Sequence, residues 1–246
     1  RPTWWCGSIL PDMIGLWPSR PERAGRKQLS TELNVEHLKT SYLRTGRAAA
    51  IDEVVACLRR GLPVVFPTDT VYGVGVLPFD EAAIERLYAV KGRPAEKGIP
   101  ILLSDPKYLE LVAGTIPPVA RSLIERFWPG PLTLIVPRGS GLPDIISPND
   151  TIAVRIPNHD LARALIREAG GAVATSSANL SGQAPARTGE AALAALQGLV
   201  AAVLDDGPSP GAQPSTIIDC TSMRPTVLRA GPLSAADLGL EPYSAD

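Results

Sequence analysis

Phe66-Pro67-Thr68-Asp69-Thr70-Val71-Tyr72-Gly73-Val74-Gly75 is the stretch on which the reading of this chain turns. It continues a short apolar run, Pro63-Val64-Val65-Phe66, which predicts a buried strand. Polarity then changes abruptly: three hydroxyls (Thr68, Thr70, Tyr72) and one carboxylate (Asp69) arrive within five residues. Two glycines at a spacing of two close the stretch, where a backbone turns tightly or comes close to a ligand. Open α/β sheets build ligand sites at such strand ends. The plainer reading is a strand followed by an ordinary polar turn, and the rest of the chain has to decide.

The 246 residues suffice for one sizeable core or for a domain with an appendage. Hydrophobic residues make up 45%, as in ordinary globular proteins, and the net charge of -1 excludes a global field that drives nucleic-acid binding. The charge is unevenly placed. Residues 1–47 hold eight Lys/Arg against four Asp/Glu, so a basic arm precedes a mildly acidic body. Three tryptophans sit in that arm among Pro, Arg and Gly without any persistent period. We therefore expect a poorly ordered N-terminal appendage over 1–47, one main domain over 48–240, and a short tail over 241–246. The chain opens on Arg1, which leaves its natural start open, and Asp12, Glu22, Glu32 and Glu36 are too many acids for a clean targeting peptide. Cys6, Cys57 and Cys220 are widely spaced, and the histidines are His37 and His159. That argues against a zinc site and a disulfide framework and fits a reducing, cytoplasmic setting. No apolar run reaches the roughly 18 residues of a membrane span, so no membrane partner is expected.

From Ala48 onward the signals are regular. Ile51, Val54, Val55 and Leu58 recur at helical spacing, and Gly61 ends that helix. Asp80 caps a second helix through Tyr88. Strands are expected over 63–67, 99–103, 132–136, 151–156, 172–175, 200–204, 216–219 and 226–229. Helices are expected over 105–112, 117–127, 161–169 and 190–196, and from Ser234. Interleaved but not strictly alternating elements predict an α/β fold with a mixed, mostly open sheet.

The common nucleotide and hydrolase motifs are absent: neither the P-loop pattern, nor Gly-x-Gly-x-x-Gly, nor Gly-x-Ser-x-Gly occurs. Other clusters carry the polar chemistry. Lys91-Gly92-Arg93-Pro94 places a point charge and a planar fork beside one glycine, suited to a polyanion, although a helix C-terminus also favours bases there. Ala174 to Gly182 supplies hydroxyls, small side chains and backbone N–H groups of an anion-binding nest, or simply a Ser/Asn-rich turn. Arg155 lies in a strand beside Ala153, and on a half-buried face it needs an anion. Ser215, Thr216 and Arg229 belong to two C-terminal strands, and a structural ion pair would explain either arginine equally well.

Taken together, Pro67 to Gly73, Lys91-Gly92-Arg93-Pro94, Trp128-Pro129-Gly130-Pro131-Leu132-Thr133, Ala153 to Pro157, Ser177-Ala178-Asn179, Ser215-Thr216-Ile217 and Leu228-Arg229 resemble the YrdC/TsaC family of threonylcarbamoyl-AMP synthases. The resemblance runs from about Ala48 to Leu240. The family's Lys-x-Arg plus Ser-x-Asn tetrad falls on Lys91, Arg93, Ser177 and Asn179, and the related YciO proteins lack the complete set. The resemblance implies a single YrdC-like domain, a twisted mixed sheet with flanking helices, and a large concave cavity. Lys91, Arg93, Thr151, Ser177, Asn179 and Arg229 fall at ATP-binding positions. Thr68, Arg155, Thr175 and Ser215 fall at threonine-binding positions. Asp69 is a candidate Mg²⁺ or hydrogen-bonding group outside this set.

The implied reaction joins L-threonine, bicarbonate or CO₂, and ATP with Mg²⁺, giving threonylcarbamoyl-AMP and pyrophosphate. A separate threonylcarbamoyl transferase complex then modifies tRNA, so contact with tRNA is weak or indirect. Two departures stand out. Leu102 occupies the place of a histidine that helps hold threonine in longer members. Longer members also carry a second C-terminal domain, for which a chain ending at Asp246 has no room. Two rival readings remain: a non-catalytic RNA-binding module, and a carbamoyl-adenylate enzyme with another acceptor, as in hydrogenase maturation proteins.

Overall fold

The structure is a computed structural model and describes residues 37–46, 49–92, 97–211 and 213–240. Its strands are β1 (Ser41–Arg44), β2 (Val64–Phe66), β3 (Gly73–Val76), β4 (Ile101–Leu103), β5 (Leu132–Pro137), β6 (Thr151–Arg155), β7 (Ala172–Ser177), β8 (Ala202–Asp205), β9 (Thr216–Asp219) and β10 (Thr226–Arg229). Helices are α1 (Ala50–Arg59), α2 (Glu81–Lys91), α3 (Leu109–Val112), α4 (Pro118–Phe127), α5 (Asp160–Glu168), α6 (Gly189–Leu196) and α7 (Ala235–Leu238). The strands form one mixed sheet in the order β1-β8-β2-β3-β7-β4-β6-β5-β9-β10. β8 runs parallel to both β1 and β2, while β3 is antiparallel to β2 and β7. The mixed α/β architecture is the one the interleaved sequence signals predict.

Helix boundaries follow local chemistry. The Asp80 carboxylate accepts the Ala83 N–H at 3.0 Å and starts α2, and Thr188 does the same for α6 through Ala191. Ser234 and Asp237 cap α7 reciprocally. In α1 the expected stripe is real: Val54, Val55 and Leu58 are buried, with Asp52 and Glu53 in the first turn and Arg59 in the last.

Two strands were not expected. β1 lies inside the stretch 1–47 assigned to an appendage. Leu43 from it is buried in the core, and the four residues pair in register with β8. The ordered sheet therefore begins before Ala48, and the boundary read at 47 moves N-terminal of residue 37. A four-residue strand flanked by Thr, Arg and Gly has too little pattern to stand out. The expectations for residues 1–36, 241–246 and Arg93 lie outside the described residues. No strand is expected over Gly73–Val76, half of which is glycine and suits either a tight turn or a close backbone approach. β3 is a strand paired with β2 and β7, and its glycines sit where side chains of β7 fill the face: a Cβ on Gly73 would lie 2.6 Å from Thr175 Cγ2, and one on Gly75 would lie 2.7 Å from Val173 Cγ1.

The register shows which residues share a face. Leu102 pairs with both Arg155 and Val173, Ala153 with Ile135, Thr133 with Ile217, Thr175 with Gly75, and Ser177 with Gly73. Paired residues project to the same side. Helices α1 and α5 cover one part of this face. There Val54, Leu58, Leu165 and Ile166 pack with Val64, Phe66, Leu102, Val173 and Leu204. Each such fully buried side chain contributes about 1.5–3 kcal/mol. The same face continues past the helices toward β5 and β9, where its residues become polar.

Candidate functional site

The part of the sheet face beyond α1 and α5 is a concave pocket of about 400 Å³. Thr151, Ala153 and Arg155 line it from one face of β6, joined by Ile152, while Val154 goes to the core. Thr68 and Thr70 come from the turn after β2, Thr175 and Ser177 from β7, Thr133 from β5, Ser215 and Ile217 from β9, and Arg229 from β10. Among the described residues the charged side chains in the wall are Arg155 and Arg229. Such a surface is suited to anionic groups presented by a small molecule.

Arg155 is 5% exposed, and its guanidinium is held at three points. Its Nε donates to Gly130 O at 2.9 Å, Nη1 donates to Thr70 Oγ1 at 2.9 Å, and Nη2 donates to the Asp69 carboxylate. Burial pulls its pKa down from the ordinary arginine value, and the Asp69 charge opposes that pull. The anion that the sequence reading required for Arg155 is thus present within the chain. Asp69, read as a candidate Mg²⁺ or hydrogen-bonding group, stands as the hydrogen-bonding partner.

The turn carrying Asp69 is organised by Thr68. Its Oγ1 donates to Val71 O at 2.6 Å and accepts from Thr70 N at 3.2 Å and Val71 N at 3.3 Å. Tyr72, the third hydroxyl of the opening stretch, has another task. Its OH contacts Asp205 Oδ1 at 2.9 Å and Gly207 O at 2.6 Å, tying the turn to the end of β8. Burial raises its pKa well above the ordinary tyrosine value, so it stays a neutral phenol.

Arg229 donates from Nε to Ser215 O at 3.0 Å, and from Nη2 to the same oxygen at 2.7 Å and to Ser215 Oγ at 3.1 Å. Ser215 Oγ also meets Thr133 Oγ1 at 2.7 Å. Thr133 was not singled out as a site residue, although it closes the Trp128-Pro129-Gly130-Pro131-Leu132-Thr133 motif. Asn149 and Ser147 also line the pocket from a loop with no distinctive pattern.

Of the three described members of the tetrad, Ser177 lines the pocket, whereas Lys91 and Asn179 are buried and do not. Lys91 Nζ donates to Ser177 O at 2.5 Å, to Asn179 O, and to Asn179 Oδ1 at 3.1 Å. Asn179 Nδ2 donates to Leu180 O and Gln183 O, both at 2.8 Å. Together these bonds fix the turn that presents Ser177. Leu102 borders the pocket next to Arg155 in the strand register, so an aliphatic surface stands where the resemblance places a histidine.

This geometry can be compared with known proteins. A family model for Sua5/YciO/YrdC domains, described as "Telomere recombination", matches residues 56–231. The chain belongs to the Sua5/YciO/YrdC family. A threonylcarbamoyl-AMP synthase of Bacillus subtilis is 40% identical over 74% of this chain and 53% of its own length. A putative threonylcarbamoyl-AMP synthase of Mycobacterium leprae is 42% identical over 80% of this chain and 92% of its own. The chain thus spans about half the length of the Bacillus relative and nearly all of the mycobacterial one. The crystal structure of Sua5 from Pyrococcus abyssi complexed with L-threonine has a TM-score of 0.77 at 35% identity, covering 81% of this chain and 59% of that one. The Sua5/YciO/YrdC model begins inside α1 and ends just after β10, so it contains every pocket residue named above. Among the described residues no helix is long and apolar enough to cross a membrane.

Proposed function

We propose that this Sua5/YciO/YrdC protein is an L-threonylcarbamoyladenylate synthase. It takes L-threonine, bicarbonate or CO₂, and ATP to threonylcarbamoyl-AMP and pyrophosphate, a nucleotidyl transfer. The product is for N6-threonylcarbamoyladenosine in tRNA, installed in the cytoplasm by a separate transferase complex. What carries this reading is family membership with relatives of about 40% identity named threonylcarbamoyl-AMP synthases. The pocket is compatible with it: hydroxyls surround two arginines, and among the described residues no acidic side chain lines the wall.

In this reading Thr68, Thr175, Ser215 and Arg155 hold the amino acid. Thr151, Ser177 and Arg229 face the nucleotide, and Lys91 and Asn179 hold the Ser177 turn against it. Arg93 takes the phosphates from its place two residues after Lys91. Among the described residues no group of three His, Cys, Asp or Glu gathers to hold a metal. A wall of hydroxyls and guanidinium groups suits phosphate oxygens, and Mg²⁺ enters as the magnesium complex of ATP. The amine of threonine combines with CO₂ to give a carbamate and a proton. A carbamate oxygen then forms a bond to the α-phosphorus as the bond to pyrophosphate breaks. The enzyme supplies positioning and charge neutralisation, not a covalent nucleophile.

The test is pyrophosphate release from Mg-ATP by the purified chain. Release is expected only when L-threonine and bicarbonate are both present. Equal release with neither added would leave an ATP hydrolase and remove the assignment.

A further inference from the structure

The two arginines of the pocket differ in their surroundings. Among the described residues Arg229 is bonded to Ser215 alone and has no carboxylate partner. Arg155 is paired to Asp69, whose side chain is only 10% exposed. The turn that carries Asp69 is fixed from two sides. Thr68 bonds its backbone from within. From outside, Gly211 lies against it so closely that a Cβ there would come within 2.6 Å of Asp69 O and 2.7 Å of Thr70 Cα. A carboxylate seated on so restrained a turn is preplaced; it is not a latch that swings away when substrate arrives.

A guanidinium has five N–H donors. Arg155 uses three of them on Gly130, Thr70 and Asp69. Two N–H groups, one on each terminal nitrogen, have no acceptor among the described residues, and the side chain borders the pocket. We propose that Asp69 is a positioning and selectivity residue: it fixes the plane of Arg155 and cancels its charge. The Arg155 end of the pocket then grips one carboxylate of a zwitterionic amino acid by hydrogen-bond geometry and does not attract polyanions. Arg229, which has no carboxylate partner among the described residues, is left to the phosphates. This division of labour between the two arginines rests on the synthase reading for its substrates, while the charge pairing itself does not.

The test uses Asp69→Asn in the full chain, with inorganic sulfate as the anion probe and L-threonine as the amino-acid probe. An almost isosteric amide keeps an acceptor but leaves a buried cation uncompensated. The melting temperature should fall and be largely restored by sulfate, which should raise that of the natural chain much less. Adding Arg155→Gln to Asp69→Asn should return the sulfate effect to that of the natural chain. L-Threonine affinity measured by calorimetry should fall about ten-fold, because a neutral amide oxygen holds the guanidinium plane less firmly than a carboxylate, and sulfate should now compete with it. Mg-ATP affinity should be unchanged, which a general loss of structure would not allow. Equal sulfate response in Asp69→Asn and the natural chain overturns the proposal. If Asp69→Asn does not fold, Asp69→Glu decides, since it keeps the charge and displaces the carboxylate. It should respond to sulfate no more than the natural chain yet bind L-threonine more weakly, and unchanged threonine affinity overturns the positioning role. A natural chain that binds no L-threonine, but whose Asp69→Asn variant gains the Arg155-dependent sulfate response, refutes the substrate reading and leaves the charge pairing standing.

Discussion

At the level of single residues, Lys91 shows how a recognised motif changes meaning once it is folded. Its position at the end of α2 fits simple helix-dipole capping, a matter of about 0.3–1 kcal/mol. The side chain does something else. It is 3% exposed and reaches two main-chain carbonyls and one amide oxygen of the 177–179 turn, while Ser181 N returns a bond to Lys91 O at 2.9 Å. Lys91→Met keeps the packing of the stem and leaves those acceptors buried without a donor. We expect it to cost about 1–3 kcal/mol in chemical denaturation, clearly more than a lost dipole contact. Turnover should fall as well, by about 10²–10³ if the turn presents a preorganised donor to the α-phosphate. Full turnover with a small stability loss would return Lys91 to helix capping. The fold bonds Lys91, Ser177 and Asn179 to one another, and the sequence singles them out together because their motifs occur in order. It did not reveal that only Ser177 faces the pocket, since a motif carries no direction. Asp69 was visible as a polar residue, but its partner lies 86 positions away in β6, beyond any local pattern.

Among the elements, β3 is the instructive failure. Strand signals come from branched and aromatic side chains, and Gly73-Val74-Gly75-Val76 offers only two of them. The glycines are there because the facing side chains of β7 fill the space that a Cβ would need. Their tolerance to substitution should therefore differ. At Gly73 the nearest obstacle is the end of a side chain, Thr175 Cγ2, which can rotate. At Gly75 the obstacles include the backbone oxygen of Ala174 at 2.9 Å, which cannot. Overpacking typically costs about 1–3 kcal/mol. Gly75→Ala should sit at the upper end and Gly73→Ala at the lower, as read from urea midpoints of the two variants. Equal costs, or the reverse order, would show that β3 and β7 are not packed as described. Strands with intact local signals, such as Leu132 to Val136 and Thr151 to Ile156, were legible to within a residue or two.

For the molecule as a whole, the sheet divides its labour along its width. Strands β1, β8 and β2 anchor the helical core, while β7, β4, β6, β5 and β9 carry the pocket. The reading of 1–47 as an appendage missed the outermost anchor, because pairing of Ser41 with Ala202, in a strand far along the chain, leaves no trace nearby. Two shortened chains, one beginning at His37 and one at Ala49, isolate that strand. The longer retains Leu38 N–H on Gly198 O at 2.7 Å, Ser41 N–H on Ala201 O at 2.9 Å, and Thr40 Oγ1 on Val200 O at 2.7 Å. It also retains Leu43, 3% exposed. The shorter loses all of these, and truncating one buried leucine already costs about 2–5 kcal/mol. Its β8 becomes an unprotected edge. We expect it to denature at clearly lower urea and to scatter light on standing, whereas the chain from His37 does not. The pocket lies beyond β8 and β2, so amino-acid-dependent pyrophosphate release per folded molecule should be alike in both at low temperature. Matching midpoints would put the boundary back at 47. A selective loss of turnover without loss of stability would instead mean that β1 acts on the pocket, through Asp205, which contacts Thr45 N, and its bond to Tyr72.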